Sequence, residues 1–165
     1  MSASLMHGWI PVSAQATAAV VVAVAVGWRS PRWRRRSLPV AVAVGAAAAF
    51  AGYAFITVNG LADDPAPAAL WLWVTLTGFA ATVAVLGWPG ARWWRRTLAL
   101  LAVPLCLLCA LLALNGWVGY FPTVSNAWNA LTFGPLPHQA DLGAVTAMAD
   151  AGAVPPQGRI VPVTI

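Results

Sequence analysis

Eight of the chain's nine basic residues fall in two short turns, Trp28-Arg29-Ser30-Pro31-Arg32-Trp33-Arg34-Arg35-Arg36 and, sixty residues on, Trp88-Pro89-Gly90-Ala91-Arg92-Trp93-Trp94-Arg95-Arg96. Each turn is flanked by runs of about twenty nearly uncharged residues, long enough to cross ~30 Å of hydrocarbon at ~1.5 Å per residue. Such a chain cannot hide its apolar surface in a water-soluble core. Of its 165 residues 61% are apolar and 8% charged, whereas soluble domains carry roughly a quarter charged. The pattern predicts an all-α membrane protein with four transmembrane helices near 11–28, 37–59, 68–88 and 97–118. An extracytoplasmic tail with short helices is expected to follow. The corresponding division is a four-helix transmembrane domain over 1–119 and a juxtamembrane linker over 120–165.

The turns also set an orientation. Residues 1–11 contain no Lys or Arg, so they lack the positive start of a secretory signal, and the first span reads as a retained helix. Five arginines in the first turn and three in the second stand against none in the 59–67 loop or at the N-terminus. The positive-inside rule then puts both turns in the cytoplasm and both termini outside the plasma membrane. Arg29, Arg32, Trp33, Arg34, Arg35, Arg36, Arg92, Trp93, Trp94, Arg95 and Arg96 are the expected topology and interface anchors. Their expected partner is a bilayer with anionic head groups, which attract each arginine by about 1 kcal/mol. A net charge of +5 confined to turns between apolar spans excludes nucleic acid as the partner.

Within the spans, Ser37 and Thr97 stand where helix caps would begin the second and fourth helices, with Pro39 in a first turn. Gly45 with Ala49, and Ala48 with Gly52, place small residues four apart, which in lipid permits close backbone approach. Trp71 and Trp73 are expected at the outer interface, and Thr75, Thr77 and Thr82 can return their hydroxyls to their own helix. The Leu-rich fourth span is expected to face lipid most, with a bend near Leu100 to Pro104. At an offset of sixty, Gly27-Trp28 matches Gly87-Trp88, Arg32-Trp33 matches Arg92-Trp93 and Arg35-Arg36 matches Arg95-Arg96. Two parallel hairpin repeats explain this. A shared demand for Arg and Trp at one interface is the alternative.

No Asp, Glu, Lys, Arg or His lies inside a span, so a proton- or ion-coupled carrier is not indicated. No nucleophile elbow, zinc-protease helix or phosphate loop occurs, and no catalytic, cofactor-binding or metal-binding residue is assigned. Cys106 and Cys109 share a helix face; packing, a metal pair and acylation are the readings, and packing is favoured because no His or carboxylate accompanies them. His138 reads as a solvated loop residue and Asp141 as a helix cap.

Beyond Asn115 the character changes. Val124 to Phe133 can form a short helix with Val124, Trp128 and Leu131 on one face, and Ala140 to Ala151 another. Arg159 to Ile165 alternates like a strand. The runs Leu114-Asn115-Gly116-Trp117-Val118-Gly119-Tyr120-Phe121-Pro122-Thr123, Ala127-Trp128 through Leu131, Pro135-Leu136-Pro137-His138-Gln139 and Gly158-Arg159-Ile160-Val161-Pro162-Val163 resemble the segment that joins membrane helices to the hydrolase domain in actinobacterial membrane-anchored putative esterases. That family has an α/β-hydrolase domain of the mycolyltransferase type outside the membrane. The resemblance implies that the chain is the non-catalytic membrane anchor of an esterase or acyltransferase. The hydrolase domain, with its catalytic residues, would follow Ile165. The alternative is a free-standing four-helix membrane protein acting as an assembly or lipid-binding partner.

Overall fold

A computed structural model describes residues 4, 5, 8–60, 65–121 and 123–134. The chain divides into two units, Met1–Val124 and Ser125–Ile165. Four long helices build the first: α1 (Trp9–Gly27), α2 (Pro31–Val58), α3 (Ala68–Leu86) and α4 (Trp93–Val118). Each is long and apolar enough to cross a membrane, as in a multi-pass membrane protein. A short helix, α5 (Val124–Leu131), begins at the boundary with the second unit. Its face of Val124, Trp128 and Leu131 is exposed. Among the described residues there is no strand, only an isolated antiparallel bridge between Ser4 and Thr123. The expected helix over 140–151 and strand over 159–165 lie outside the described residues.

The helices lie in the order α2, α3, α4, α1. α3 packs along both α2 and α4, while α1 packs along α4 and only grazes α3. Consecutive α1 and α2 do not pack along one another, so the ring that two equivalent hairpins would close is open on that side.

Two helices start earlier than the caps at Ser37 and Thr97 suggest. α2 begins at Pro31, with Ser30 as its N-cap accepting from the Trp33 amide at 3.2 Å. Ser-Pro supplies a capping oxygen and a first residue that has no N–H to satisfy, and this pair outcompetes Ser37. Pro39 therefore sits inside the helix rather than in its first turn. α4 starts at Trp93 behind Arg92, and Thr97 lies within it, returning its hydroxyl to the Trp93 carbonyl. Arginines consequently occupy the first turns of α2 and α4, where the helix dipole opposes positive charge by about 0.3–1 kcal/mol each. α4 is helical on both sides of Pro104.

The fourth span is not the most lipid-facing. Ala99, Ala102, Cys106, Cys109 and Ala110 of α4 are buried, more of its surface than in either edge helix. Its leucines at 100, 101, 107, 108 and 111 point outward. Hydropathy of the whole run misleads because the small residues turn inward and let neighbouring helices approach. Trp73 is likewise buried, packed in the core with Leu70, Ala80, Ala102 and Cys106, and is no interface anchor. Two residues apart on a helix, Trp71 and Trp73 cannot share a face. Trp71 meets Tyr53 edge-on at 5.7 Å.

The small-residue seam falls where the spacing puts it. Gly45 is buried against Gly78 and Thr75 of α3, and a Cβ on Gly78 would stand 3.1 Å from the Gly45 Cα. The hydroxyls of Thr75, Thr77 and Thr82 all bond to carbonyls four residues back in α3.

At the other end of α4, Gly119 adopts the left-handed conformation (φ 77°) and its N–H reaches the Asn115 carbonyl. The Asn115 side chain then donates to the Phe121 carbonyl and accepts from the Phe121 amide, both at 2.8 Å. One amide thus substitutes for a strand partner and fixes the exit of the helix. Asn115→Ala is expected to raise the amide exchange rate of Phe121 about tenfold, the equivalent of one hydrogen bond of about 1.4 kcal/mol. Unchanged protection would show that the clamp is dispensable.

Candidate functional site at the arginine–tryptophan end

Trp28, Arg29 and Ser30 link α1 to α2, and residues 87–92 link α3 to α4. The two links meet. The Trp28 and Trp94 rings pack edge to face with centroids 4.9 Å apart. Arg95 lies over both of them, 5.8 Å from Trp28 and 5.1 Å from Trp94. Such cation–ring contacts are worth about 0.5–2 kcal/mol, most where water is excluded.

Arg29 and Trp33 reach further, to the end of α3. Arg29 Nη1 donates to the Gly87 carbonyl at 2.8 Å and the Trp33 indole to the Leu86 carbonyl at 3.2 Å. These acceptors are left over at a helix C-terminus, where the dipole also favours a cation. The Arg29 guanidinium lies 5.0 Å from the Trp33 ring centre, so one supports the other. Gly87 is buried, and a Cβ there would run into that guanidinium. Burial, and secondarily the Arg95 charge, lower the pKa of Arg29 from its ordinary value. Among the described residues the two cations have no carboxylate between them.

The other arginines are less engaged. Arg96 lies 5.1 Å from the Trp88 ring. Arg34 is half-buried, whereas Arg32, Arg35, Arg36, Arg92 and Trp93 are exposed. The structure thus joins Trp28, Arg29, Trp33, Trp94 and Arg95 with the end of α3, and leaves five of the eleven anchor residues at the surface. Sequence reasoning missed Gly87. Its counterpart at an offset of sixty, Gly27, has open space about it, so the repeat itself concealed the difference. Position 89, which matches Arg29, is proline, and that mismatch was the available signal.

No family model, curated protein or solved structure matches the chain. The reading therefore rests on the geometry and on the resemblance in residues 114–163. Among the described residues no group of three or more His, Cys, Asp or Glu side chains could hold a metal. Cys106 and Cys109 are free thiols, wholly enclosed in the α3–α4 core. His138 and Asp141 lie outside the described residues.

Proposed function

We propose that the chain is a plasma-membrane anchor that holds an extracytoplasmic hydrolase domain of the esterase or acyltransferase class at the bilayer surface. In this reading the arginine–tryptophan end is cytoplasmic and anionic head groups are its partner. The two links descend from duplicated hairpins that have since diverged at the α1–α2 seam. The observation that carries the reading is the pairing of Ser4 with Thr123, which brings the approach to α1 and the exit of α4 to one end of the bundle. The two arginine-bearing links pack together at the other. Arginine bias supports placing that other end inside.

Labelling tests the orientation. In a Cys106→Ala/Cys109→Ala background, a membrane-impermeant maleimide should modify Pro65→Cys in intact cells and Pro89→Cys only after permeabilisation. An alkaline phosphatase fused after Ile165 should be active. The reverse labelling pattern, or an inactive fusion, overturns the anchor reading.

A further inference from the structure

Among the described residues α2 packs along α3 and along no other helix, which leaves the rest of its surface uncovered by them. The flank of α2 beside that contact carries a shallow, widely open furrow lined by Arg34, Arg35, Leu38, Pro39, Val42 and Ala43. The six residues form two rows, Arg34–Leu38–Val42 and Arg35–Pro39–Ala43, each stepping four residues along the helix. Rows at that spacing are ridges on a helix surface with a furrow between them. Both ridges are headed by arginine at the end that carries all the interfacial arginines, and both continue with apolar residues into the span. The furrow is charged at one end and greasy along the rest.

Among the described residues no acid meets the charged end. Arg34 Nε is shielded from water with no hydrogen-bond acceptor among the described residues. A shielded donor without an acceptor is destabilising. Pro39 contributes a flat ring and no N–H, which also leaves the Arg35 carbonyl without its usual donor four residues on. An acceptor bearing negative charge, attached to a chain of methylenes, satisfies both ends at once.

We propose that this groove binds one anionic phospholipid, with its phosphate diester between Arg34 and Arg35 and an acyl chain along Leu38, Pro39, Val42 and Ala43. Guanidinium forks match phosphate oxygens in pairs, which a lysine could not do. A head group with its own cation is disfavoured, because five arginines within residues 29–36 repel it. Free phosphate would leave the apolar part of the groove empty. A second transmembrane helix from another copy would bring no acid to the arginines, since no span contains one. The proposal requires α2 to cross a bilayer but is independent of what the chain anchors.

The test uses the full chain, purified in a neutral detergent and titrated with phosphatidylglycerol or phosphatidylcholine, with retained lipid counted by native mass spectrometry. Phosphatidylglycerol should bind at a one-to-one plateau and at least tenfold more tightly than phosphatidylcholine. Arg34→Gln/Arg35→Gln should weaken it about tenfold or more. Arg32→Gln/Arg36→Gln removes the same charge outside the groove and should change it less than twofold. Ala43→Leu and Ala43→Trp alter no charge, yet should weaken binding in proportion to the volume they add, with circular dichroism confirming that each variant remains helical. Glycerol 3-phosphate at millimolar concentration should not compete. Equal losses in the two arginine pairs, no effect of filling the groove, displacement by glycerol 3-phosphate, or a dimer that vanishes on Ala43→Trp would each overturn the proposal. None of these outcomes touches the labelling pattern that tests the anchor.

Discussion

Gly45→Leu is expected to destabilise the bundle by about 3 kcal/mol or more, and Gly45→Ala by about 1–3 kcal/mol, the range for overpacking a tight interior. A Cβ at position 45 would collide with the Thr75 backbone carbonyl and stand 3.2 Å from the Thr75 Cγ2 and 3.3 Å from the Phe79 amide nitrogen. Two of these three atoms are backbone and cannot rotate away. Relief requires α2 to move off α3, the one helix it packs along among the described residues. The expected consequence is release of α2 as a unit, seen as a lower unfolding midpoint in sodium dodecyl sulfate and as new proteolysis within 31–58. Gly52→Ala is the control: its Cβ would meet only the Trp71 ring, at 3.4 Å, an ordinary contact. It should shift the midpoint by under about 0.5 kcal/mol. Equal effects at 45 and 52 would mean that the loss of glycine, and not the close approach, sets the stability.

The same seam marks how far the sequence could be read. Four apolar runs of spanning length have few alternatives in any solvent, so the helices and their number were legible from spacing alone. Gly45, Ala48, Ala49 and Gly52 were legible as a seam because small residues four apart let helix backbones approach closely in lipid, within a chain more readily than between copies. Which helix met that seam was not. The duplicated turns suggest two equivalent hairpins, yet α2 lies against α3 and not against α1. Neighbour choice depends on side-chain shape over the whole contact, and local periodicity carries none of that. Hydropathy ranked α4 as the lipid-facing span although its inward stripe of Ala and Cys makes it a central helix. Ser37 was displaced as a cap because Ser30-Pro31 reads as a stronger start once the arginines are admitted into the helix. At the arginine–tryptophan end, residue types announced an interface, whereas the bonds from Arg29 and Trp33 to the end of α3 depend on tertiary placement.

Those bonds carry the second large effect. Arg29→Ala is expected to cost about 2–4 kcal/mol, combining a charge-assisted hydrogen bond of about 1.5–3 kcal/mol with the stacking on Trp33. Arg29→Lys should recover only part of it, because an ammonium lacks the planar fork that bonds the Gly87 carbonyl while lying over the indole. Gly87→Ala should mimic Arg29→Ala without touching a charge, since its Cβ would occupy the space of the guanidinium. If displacement of Arg29 is how Gly87→Ala acts, the two substitutions cannot add. In the Arg29→Ala background Gly87→Ala should retain the cost set by the Val83 backbone carbonyl, 2.7 Å from the same Cβ, and lose the part that comes from displacing the guanidinium. The double-mutant cycle, measured by unfolding in detergent, should therefore show a coupling of at least about 1 kcal/mol. Strict additivity would mean that the arginine and the glycine act on different parts of the structure, and the link from the α1–α2 turn to the end of α3 would lose its energetic role.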